Sequence, residues 1–371
     1  MIKYLQIENF KSLKKIGIPL ENLNLFFGMN GMGKSSVIQT LLMLRQSFWK
    51  NQMKHMELLH VNGDLIELGT GREIMCQTRE EDELRICVVL SNGETLDRKY
   101  IPSDYESKKG TLQATTPNSI LSEGIVAANV FSSGFVYLGA EHIRPQRLYQ
   151  TTTWEPDINI FGKIGEFAVP YLAINGNRYH VPAEKCLDTG KTDTLIDQVS
   201  AWLNEISPQI RISTDYSEFD GNARLEIGYD GTRLSSAGFA PVNVGYGVPY
   251  VIPLIVSLLT ATDDALLLIE NPESHLHPRG QSRIGELIAR TANHGAQVIC
   301  ESHSDHIING VRLSIKNNKI SDKDVTIKYF VKNEAQETEV IDIETDKNGN
   351  LSSYPQGLLD EWGIIMSELM R

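Results

Sequence analysis

The segment Gly28 to Ser36 has the residue types and spacing that bind nucleotide phosphates. It reads GMNGMGKSS, a glycine, four variable residues, a second glycine, a lysine and a hydroxyl residue. In such a loop the backbone amides turn inward around phosphate oxygens, the lysine contacts the outer phosphates and the hydroxyl binds magnesium. A chance glycine turn before a helix is the alternative. The predicted binding positions are Gly28, Asn30, Gly31, Gly33, Lys34, Ser35 and Ser36, with Ser35 as a magnesium ligand.

Two acidic residues follow an apolar run far downstream. In LLLIENPE, Glu270 comes after four aliphatic residues, and Glu273 follows three positions later. A buried strand that ends in a carboxylate delivers that acid to a sheet edge, where it can hold magnesium and orient water. We therefore predict Glu270 as a magnesium ligand and both acids as catalytic candidates. Their alternative is a role as exposed turn residues.

A histidine follows the next strand-like run. In ICESHSDH, His303 is predicted at the same sheet edge as the glycine-rich loop and Glu270, where it would sense or polarise the terminal phosphate. A structural histidine is the alternative. The pair His275 and His277 has no third ligand at a suitable spacing, so metal binding is not predicted there.

The elements that must position these residues follow from hydrophobic spacing. Residues 2–8 alternate as a strand, the apolar strand 23–27 enters the loop, and residues 37–49 have the spacing of a buried helix behind the lysine. The second half predicts an α/β core. Its predicted elements are a helix near 248–260, a strand at 265–269, a helix at 281–292 and a strand at 297–300.

The middle of the chain has a different pattern, of short strands separated by turns. Asn92-Gly93, Asn175-Gly176 and Asp230-Gly231 predict hairpins, and residues 195–206 predict one helix that Pro208 limits. We predict one two-lobed head over residues 1–371, with a nucleotide core from about 1–60 and 250–371 and an inserted β-rich and helical lobe at about 61–249. The sequence has no long heptad run, so we predict no coiled-coil arm.

Composition limits the function. The content of 41% hydrophobic and 22% charged residues is typical of a globular protein. A net charge of −12 argues against broad nucleic-acid binding, although Lys11, Lys14 and Lys15 leave a local basic patch open. Four scattered cysteines predict neither a disulfide framework nor a zinc site. The longest apolar run, 248–261, is too short for a bilayer, and no signal-peptide pattern opens the chain, so we expect a cytoplasmic protein without membrane contact.

Four segments resemble, in this order, the ABC-type ATPase heads of the RecF, SMC and OLD group: GMNGMGKSS, VNVGYGVPYVIPLIVSLL, LLLIENPESHLHP and ICESHSDHIINGVR. IENPESHLHP together with YPQGLLDEW resembles, more narrowly, a bacterial AAA-annotated family with an uncharacterised C-terminal segment, often found in antiphage defence operons. The resemblance implies an α/β head with a mixed sheet, and ATP and Mg²⁺ as cofactors.

The same resemblance assigns further residues. Phe10 and Lys11, in IENFKSLKK, would lie near the nucleotide. VGYGVPY stands in the place of the signature motif that reaches a partner's nucleotide, with Gly245 and Gly247 as its candidates. Such heads form a homodimer with two composite ATP sites, and SHLHP would be the loop by which the two sites sense each other.

One position departs from the group. Related heads read Asp-Glu-Pro where this chain reads Glu270-Asn271-Pro272, which puts an asparagine at the usual position of the catalytic base. Asparagine cannot take a proton from water. Either Glu270 serves both metal and water, or Glu273 is the base, or turnover is slow. Slow hydrolysis centred on Glu270 is favoured.

Three functions follow. The leading hypothesis is an ATP-gated dimer that hydrolyses ATP slowly and controls a separate effector, such as a nuclease, in antiphage defence. Residues 304–371 are too few for the nuclease domain of OLD-type proteins. The first alternative is a RecF-like DNA-repair ATPase that clamps DNA. The second is a non-hydrolysing nucleotide-dependent scaffold, suggested by Asn271.

Overall fold

The computed structural model of the chain describes residues 1–53, 55–102, 110–116, 120–151, 157–230, 238–245 and 247–370, without the side chains of residues 361 and 362. The strands are β1 (Ile2–Phe10), β2 (Leu13–Pro19), β3 (Leu23–Phe27), β4 (Leu58–His60), β5 (Leu84–Leu90), β6 (Thr95–Pro102), β7 (Thr111–Ala114), β8 (Phe135–Leu138), β9 (Tyr149–Gln150), β10 (Ile210–Ser217), β11 (Asn222–Tyr229), β12 (Leu266–Glu270), β13 (Gln297–Glu301), β14 (Val325–Lys332) and β15 (Thr338–Ile343). The α-helices are α1 (Lys34–Lys50), α2 (Glu123–Val126), α3 (Ala168–Asn175), α4 (Leu195–Ile206), α5 (Gly247–Thr260), α6 (Pro278–Asn293), α7 (Asp305–Lys316) and α8 (Glu361–Leu369).

The chain divides into two compact units. Unit 1 comprises Met1–Phe135, Val325–Asp346 and Leu351–Arg371, and unit 2 comprises Val136–Asp324 and Lys347–Asn350. The functional division into a nucleotide core and an inserted lobe remains a prediction.

Unit 1 contains two groups of strands. One is an antiparallel sheet in the order β2-β1-β5-β6-β7-β4. In the other, β14 runs parallel to β3 and antiparallel to β15, so the strands are mixed. All five residues of β3 are buried, as expected of a strand inside a parallel arrangement, and α1 starts seven residues after it ends. This strand–loop–helix order positions the glycine-rich segment.

Unit 2 is built around the parallel pair β12 and β13, with β8 beside β12. Residues 266–269 of β12 are fully buried, and the register places Glu270 opposite Glu301. A smaller antiparallel sheet has the order β10-β11-β9. Helices α6 and α7 approach closely because both carry a glycine at the crossing, Gly285 and Gly310.

The predicted α/β class with a mixed sheet is confirmed, as are the strands and helices around the glycine-rich loop and residues 247–301. The longest described helix, α1, has 17 residues, in keeping with a head that carries no long arm. The Asn92-Gly93 hairpin is confirmed, since β5 and β6 pair antiparallel around it. None of the described helices is long and apolar enough to cross a membrane.

The hairpin prediction at Asn175-Gly176 is wrong. Asn175 ends α3, and Gly176 has right-handed helical angles, with φ −54°. The apolar residues of AVPYLAIN bury one side of a helix, and this burial outweighs the local preference of Asn-Gly for a turn. The predicted hairpin at Asp230-Gly231 extends outside the described residues.

Candidate nucleotide site

The glycine-rich loop has the backbone of a phosphate cradle. Gly28, Gly31 and Gly33 have φ values of 134°, 79° and 104°, in the left-handed region that favours glycine. Two of them also lack room for a side chain. A Cβ at Gly28 would collide with the carbonyl oxygen of Phe330, and one at Gly33 would lie 2.5 Å from Thr338 Oγ1. Glycine is required here by backbone angle and by space.

Lys34 is the first residue of α1 and is only 3% exposed. Its Nζ donates to the carbonyl oxygens of Gly28 (2.8 Å) and Met29 (3.0 Å), so the ammonium is held inside the loop. The N-cap of α1 is Gly33, which has no side chain to cap the first amides. A helix N-terminus directed at a glycine loop with a buried lysine fits the triphosphate of a nucleotide.

A residue far along the chain braces this loop. Thr338, at the start of β15, donates its hydroxyl to the carbonyl oxygen of Met32 (2.9 Å), and its Oγ1 lies 2.8 Å from Ser12 Oγ. Its backbone amide also donates to Ser12 O. The loop conformation therefore depends on β15 and on the β1–β2 turn as well as on its own glycines.

A cavity of about 400 Å³ opens at the β1–β2 turn. Its lining mixes charged, polar and apolar side chains: Lys11, Ser12, Glu73, Met75, Cys76, Gln77, Thr78, Lys332, Ala335, Gln336 and Glu337. Lys11 Nζ donates to Gln39 Oε1 (2.6 Å), and partial burial lowers the pKa of Lys11. Phe10 is fully buried, which makes it a core residue that supports Lys11 through its ring, 5.5 Å from Nζ.

Unit 2 brings several acidic and polar groups together at the ends of β12 and β13. Glu270 and Glu301 are register partners, and Tyr137 donates its hydroxyl to Glu270 Oε1 (2.9 Å). The pKa of Glu270 is raised to about 7, chiefly by burial and secondly by the neighbouring Glu301, while the Tyr137 hydrogen bond acts in the opposite direction. A carboxyl with this pKa is partly protonated near neutral pH.

Asn271 satisfies a backbone requirement. Its φ is 50°, in the left-handed region that asparagine tolerates better than most residues. Its amide donates to Glu301 O (2.9 Å), and its carbonyl oxygen lies 3.3 Å from His142 Nε2. Burial lowers the pKa of His142. The asparagine thus forms the sharp turn that follows the acidic strand end.

Glu273 links the segments that follow the two strands. Its Oε2 accepts from the Ser302 hydroxyl and its Oε1 from the His303 backbone amide, each over 2.7 Å. Both carboxylate oxygens therefore accept hydrogen bonds from structural donors, which favours a positioning role over that of a base. The His303 side chain is exposed.

The segment predicted as the signature motif lies at the start of α5. Gly245 is exposed with open space around its α-carbon, whereas a Cβ at Gly247 would lie 2.6 Å from His275 O. The Tyr250 and His275 rings are 4.6 Å apart, so this helix start packs against SHLHP. His277 caps α6 by accepting from the Arg279 amide, which assigns it a structural role. Tyr246 lies outside the described residues.

The structure adds three residues that the motifs had not singled out. Glu301 was recoverable, because it follows an apolar strand just as Glu270 does. No local sequence pattern marks Tyr137 or Thr338. Tyr137 contacts Glu270, and Thr338 contacts Met32, only because strands that are distant in the sequence pair in the fold.

The fold matches that of SMC head domains. One similar structure, an SmcHead bound to the C-winged helix domain of ScpA, has a TM-score of 0.55 at 16% identity, covering 93% of this chain and 98% of that one. Another is the Smc head domain with an extended coiled coil bound to the C-terminal domain of ScpA derived from Pyrococcus furiosus, with a TM-score of 0.53 at 13% identity, covering 100% and 99%. The fold is thus that of an SMC head domain.

The family follows from the sequence. Residues 1–237 match the family described as "AAA ATPase domain", and the chain belongs to it. Residues 166–309 match a family described as "AAA domain, putative AbiEii toxin, Type IV TA system", and residues 320–369 match "Protein of unknown function (DUF3696)". No curated protein matches the chain. The resemblance to ATPase heads of the SMC and RecF group is confirmed, and nucleotide binding is the property that this membership implies.

Proposed function

We propose that the chain binds Mg·ATP and hydrolyses it slowly to ADP and phosphate. The geometry of the glycine-rich loop carries the proposal, because Lys34 is buried within three left-handed glycines at the start of a helix. Ser35 and Glu270 are the proposed ligands of Mg²⁺, which supplies charge neutralisation for the phosphates. The cavity beside Lys11 and Ser12 is the proposed place of the nucleoside.

Three features support slow turnover. Asn271 has no basic group, and both oxygens of Glu273 accept structural hydrogen bonds. Glu270 has a raised pKa but is also the proposed cation ligand. A carboxylate that holds a cation is a weaker base toward water, so proton removal is expected to limit the rate.

We further propose a head-to-head homodimer with two composite ATP sites that controls a separate effector in antiphage defence. The exposure of Gly245 and the packing of Gly247 on His275 support this, because a segment that meets a partner must be accessible, and one that communicates with SHLHP must contact it. The similar SMC heads are recorded with a bound ScpA domain, which supports control of a second protein. The family description that mentions a toxin supports a defence setting. We also propose that His303 senses the terminal phosphate. We propose a cytoplasmic location for the protein.

The non-hydrolysing scaffold remains the second candidate, because the same Asn271 and Glu273 observations favour it. Binding of a fluorescent ATP analogue to the wild type and to Lys34→Ala tests the shared step. We expect the variant to lose binding and to retain its circular dichroism spectrum. Equal affinity in both proteins would refute the loop as the site.

Phosphate release at saturating ATP separates the two candidates. A slow ATPase completes many turnovers, and Glu270→Gln abolishes them. A scaffold binds ATP with the same affinity and releases at most one phosphate per chain.

A further inference from the structure

Glu270 is held by a residue that no motif contains. Tyr137, in β8, donates its hydroxyl to Glu270 Oε1 over 2.9 Å. The tyrosine is 6% exposed and Glu270 is half-buried, so this contact is partly sheltered from competing water. A hydroxyl that donates to a carboxylate in such a place selects one orientation of that carboxylate.

Tyr137 is in turn fixed through its backbone by Asn159. Asn159 Nδ2 donates to Tyr137 O (2.8 Å), and Asn159 Oδ1 accepts from the Tyr137 amide (3.1 Å). The side-chain amide thus makes the two hydrogen bonds that a neighbouring strand would otherwise make. Asn159 is 4% exposed, and the loop that carries it is joined to the exit of β8 by backbone bonds from Gly139 to Lys163 and from Ile143 to Ile164.

We propose that Tyr137 is a positioning residue of the magnesium site, whose hydroxyl orients the Glu270 carboxylate for the cation of Mg·ATP. The inference rests on the proposed role of Glu270. A carboxylate already held in one rotamer loses less conformational freedom when it coordinates a metal, and outer partners of metal ligands commonly change metal affinity by tenfold or more.

Tyr137→Phe removes the hydroxyl and keeps the ring. We would titrate Mg²⁺ into protein with a fluorescent non-hydrolysable ATP analogue, so that the readout is binding without turnover. The expected result is a roughly tenfold higher Mg²⁺ midpoint, with unchanged nucleotide affinity in EDTA. Tyr329→Phe is the matched control, because Tyr329 is also a buried strand tyrosine whose hydroxyl donates over 2.9 Å, to Gln356 O. Its Mg²⁺ midpoint should equal that of the wild type.

A double-mutant cycle tests whether the hydroxyl acts through Glu270. In a Glu270→Gln background, Tyr137→Phe should produce no further change in the Mg²⁺ midpoint. A further shift of the same size there would overturn the inference, as would an unchanged midpoint in the single variant. If the wild type itself bound nucleotide without any Mg²⁺ dependence, the proposed function would fail, and this inference with it.

Discussion

Glu270 is a half-buried carboxyl group, and the fold places a second carboxyl, Glu301, opposite it. Both effects raise its pKa, and the Tyr137 hydroxyl only partly offsets them. An ordinary structural carboxylate would be paired with a cation of the protein. The proposed role of Glu270 as a magnesium ligand would account for its neighbours, which are an acid, a hydroxyl and an asparagine turn.

The raised pKa of Glu270 predicts a pH-dependent stability. The group ionises at about 7 in the folded state and near 4.5 in the unfolded chain, so between these values the folded state binds more protons. The free energy of unfolding therefore falls as pH rises through this window. Glu270→Gln should remove this fall. Without Mg²⁺, the free energy of unfolding of the variant should therefore rise by roughly 1–3 kcal/mol relative to that of the wild type between pH 5 and pH 8.

Urea unfolding at several pH values measures this difference. Glu334→Gln, at an exposed position, is the control and should leave the pH profile of the wild type unchanged. Parallel profiles for the wild type and Glu270→Gln would show that Glu270 ionises normally.

Glu273 leads to a prediction that separates a base from a positioning residue. Glu273→Gln keeps one acceptor but turns an amide donor toward the Ser302 hydroxyl or the His303 amide. We expect a loss of about 1–3 kcal/mol in the free energy of unfolding, because the Ser302 hydroxyl or the His303 amide loses its carboxylate acceptor. A catalytic base would instead show wild-type stability and a large fall in kcat. Thermal unfolding and phosphate release, measured on the same preparation, decide between them.

At the scale of elements, α6 and α7 cross without intervening side chains. A Cβ at Gly285 would lie 2.5 Å from Ile307 O, and one at Gly310 would collide with the backbone oxygen of Ser282. This crossing sets the start of α7, whose N-cap Ser304 lies next to His303. The helices therefore hold the segment after β13 in place by backbone contact.

Gly310→Ala should consequently destabilise the fold. The added methyl meets backbone, which cannot rotate away, so we expect a loss of roughly 1–3 kcal/mol and a lower unfolding temperature. Gly363→Ala is the matched control, because Gly363 also lies in a helix but has open space around its α-carbon. That substitution should be neutral or slightly stabilising, since alanine favours helix. Equal melting temperatures for the two variants would contradict close packing at the crossing.

At the scale of the whole molecule, the proposed dimer depends on a surface segment. Gly245→Asp places a carboxylate where the signature segment is proposed to meet the phosphates of a partner. We expect ATP binding to be retained and the ATP-dependent doubling of mass, measured by light scattering in the Glu270→Gln background, to be lost. Asn243→Asp adds the same charge two residues away, at another exposed position, and should still dimerise. If both variants dimerised, Gly245 would not lie at the interface.

The sequence by itself determined the glycine-rich loop between a strand and a helix, the acidic strand end and the α/β class. These features are local, since glycine spacing fixes the turn and runs of aliphatic residues fix buried strands. It also located Asn271, whose consequence for proton transfer follows from its side chain alone. It misjudged Asn175-Gly176, where burial of neighbouring residues outweighed turn preference.

Only the tertiary structure decided which groups surround those residues. Thr338 braces a loop 306 positions away in sequence, and Tyr137 reaches Glu270 across 133 positions. Strand pairing creates such contacts, and their partners carry no mark in the local sequence. The structure likewise placed Phe10 in the core and gave both oxygens of Glu273 a donor, because burial and hydrogen-bond partners depend on elements that the chain brings together only when folded.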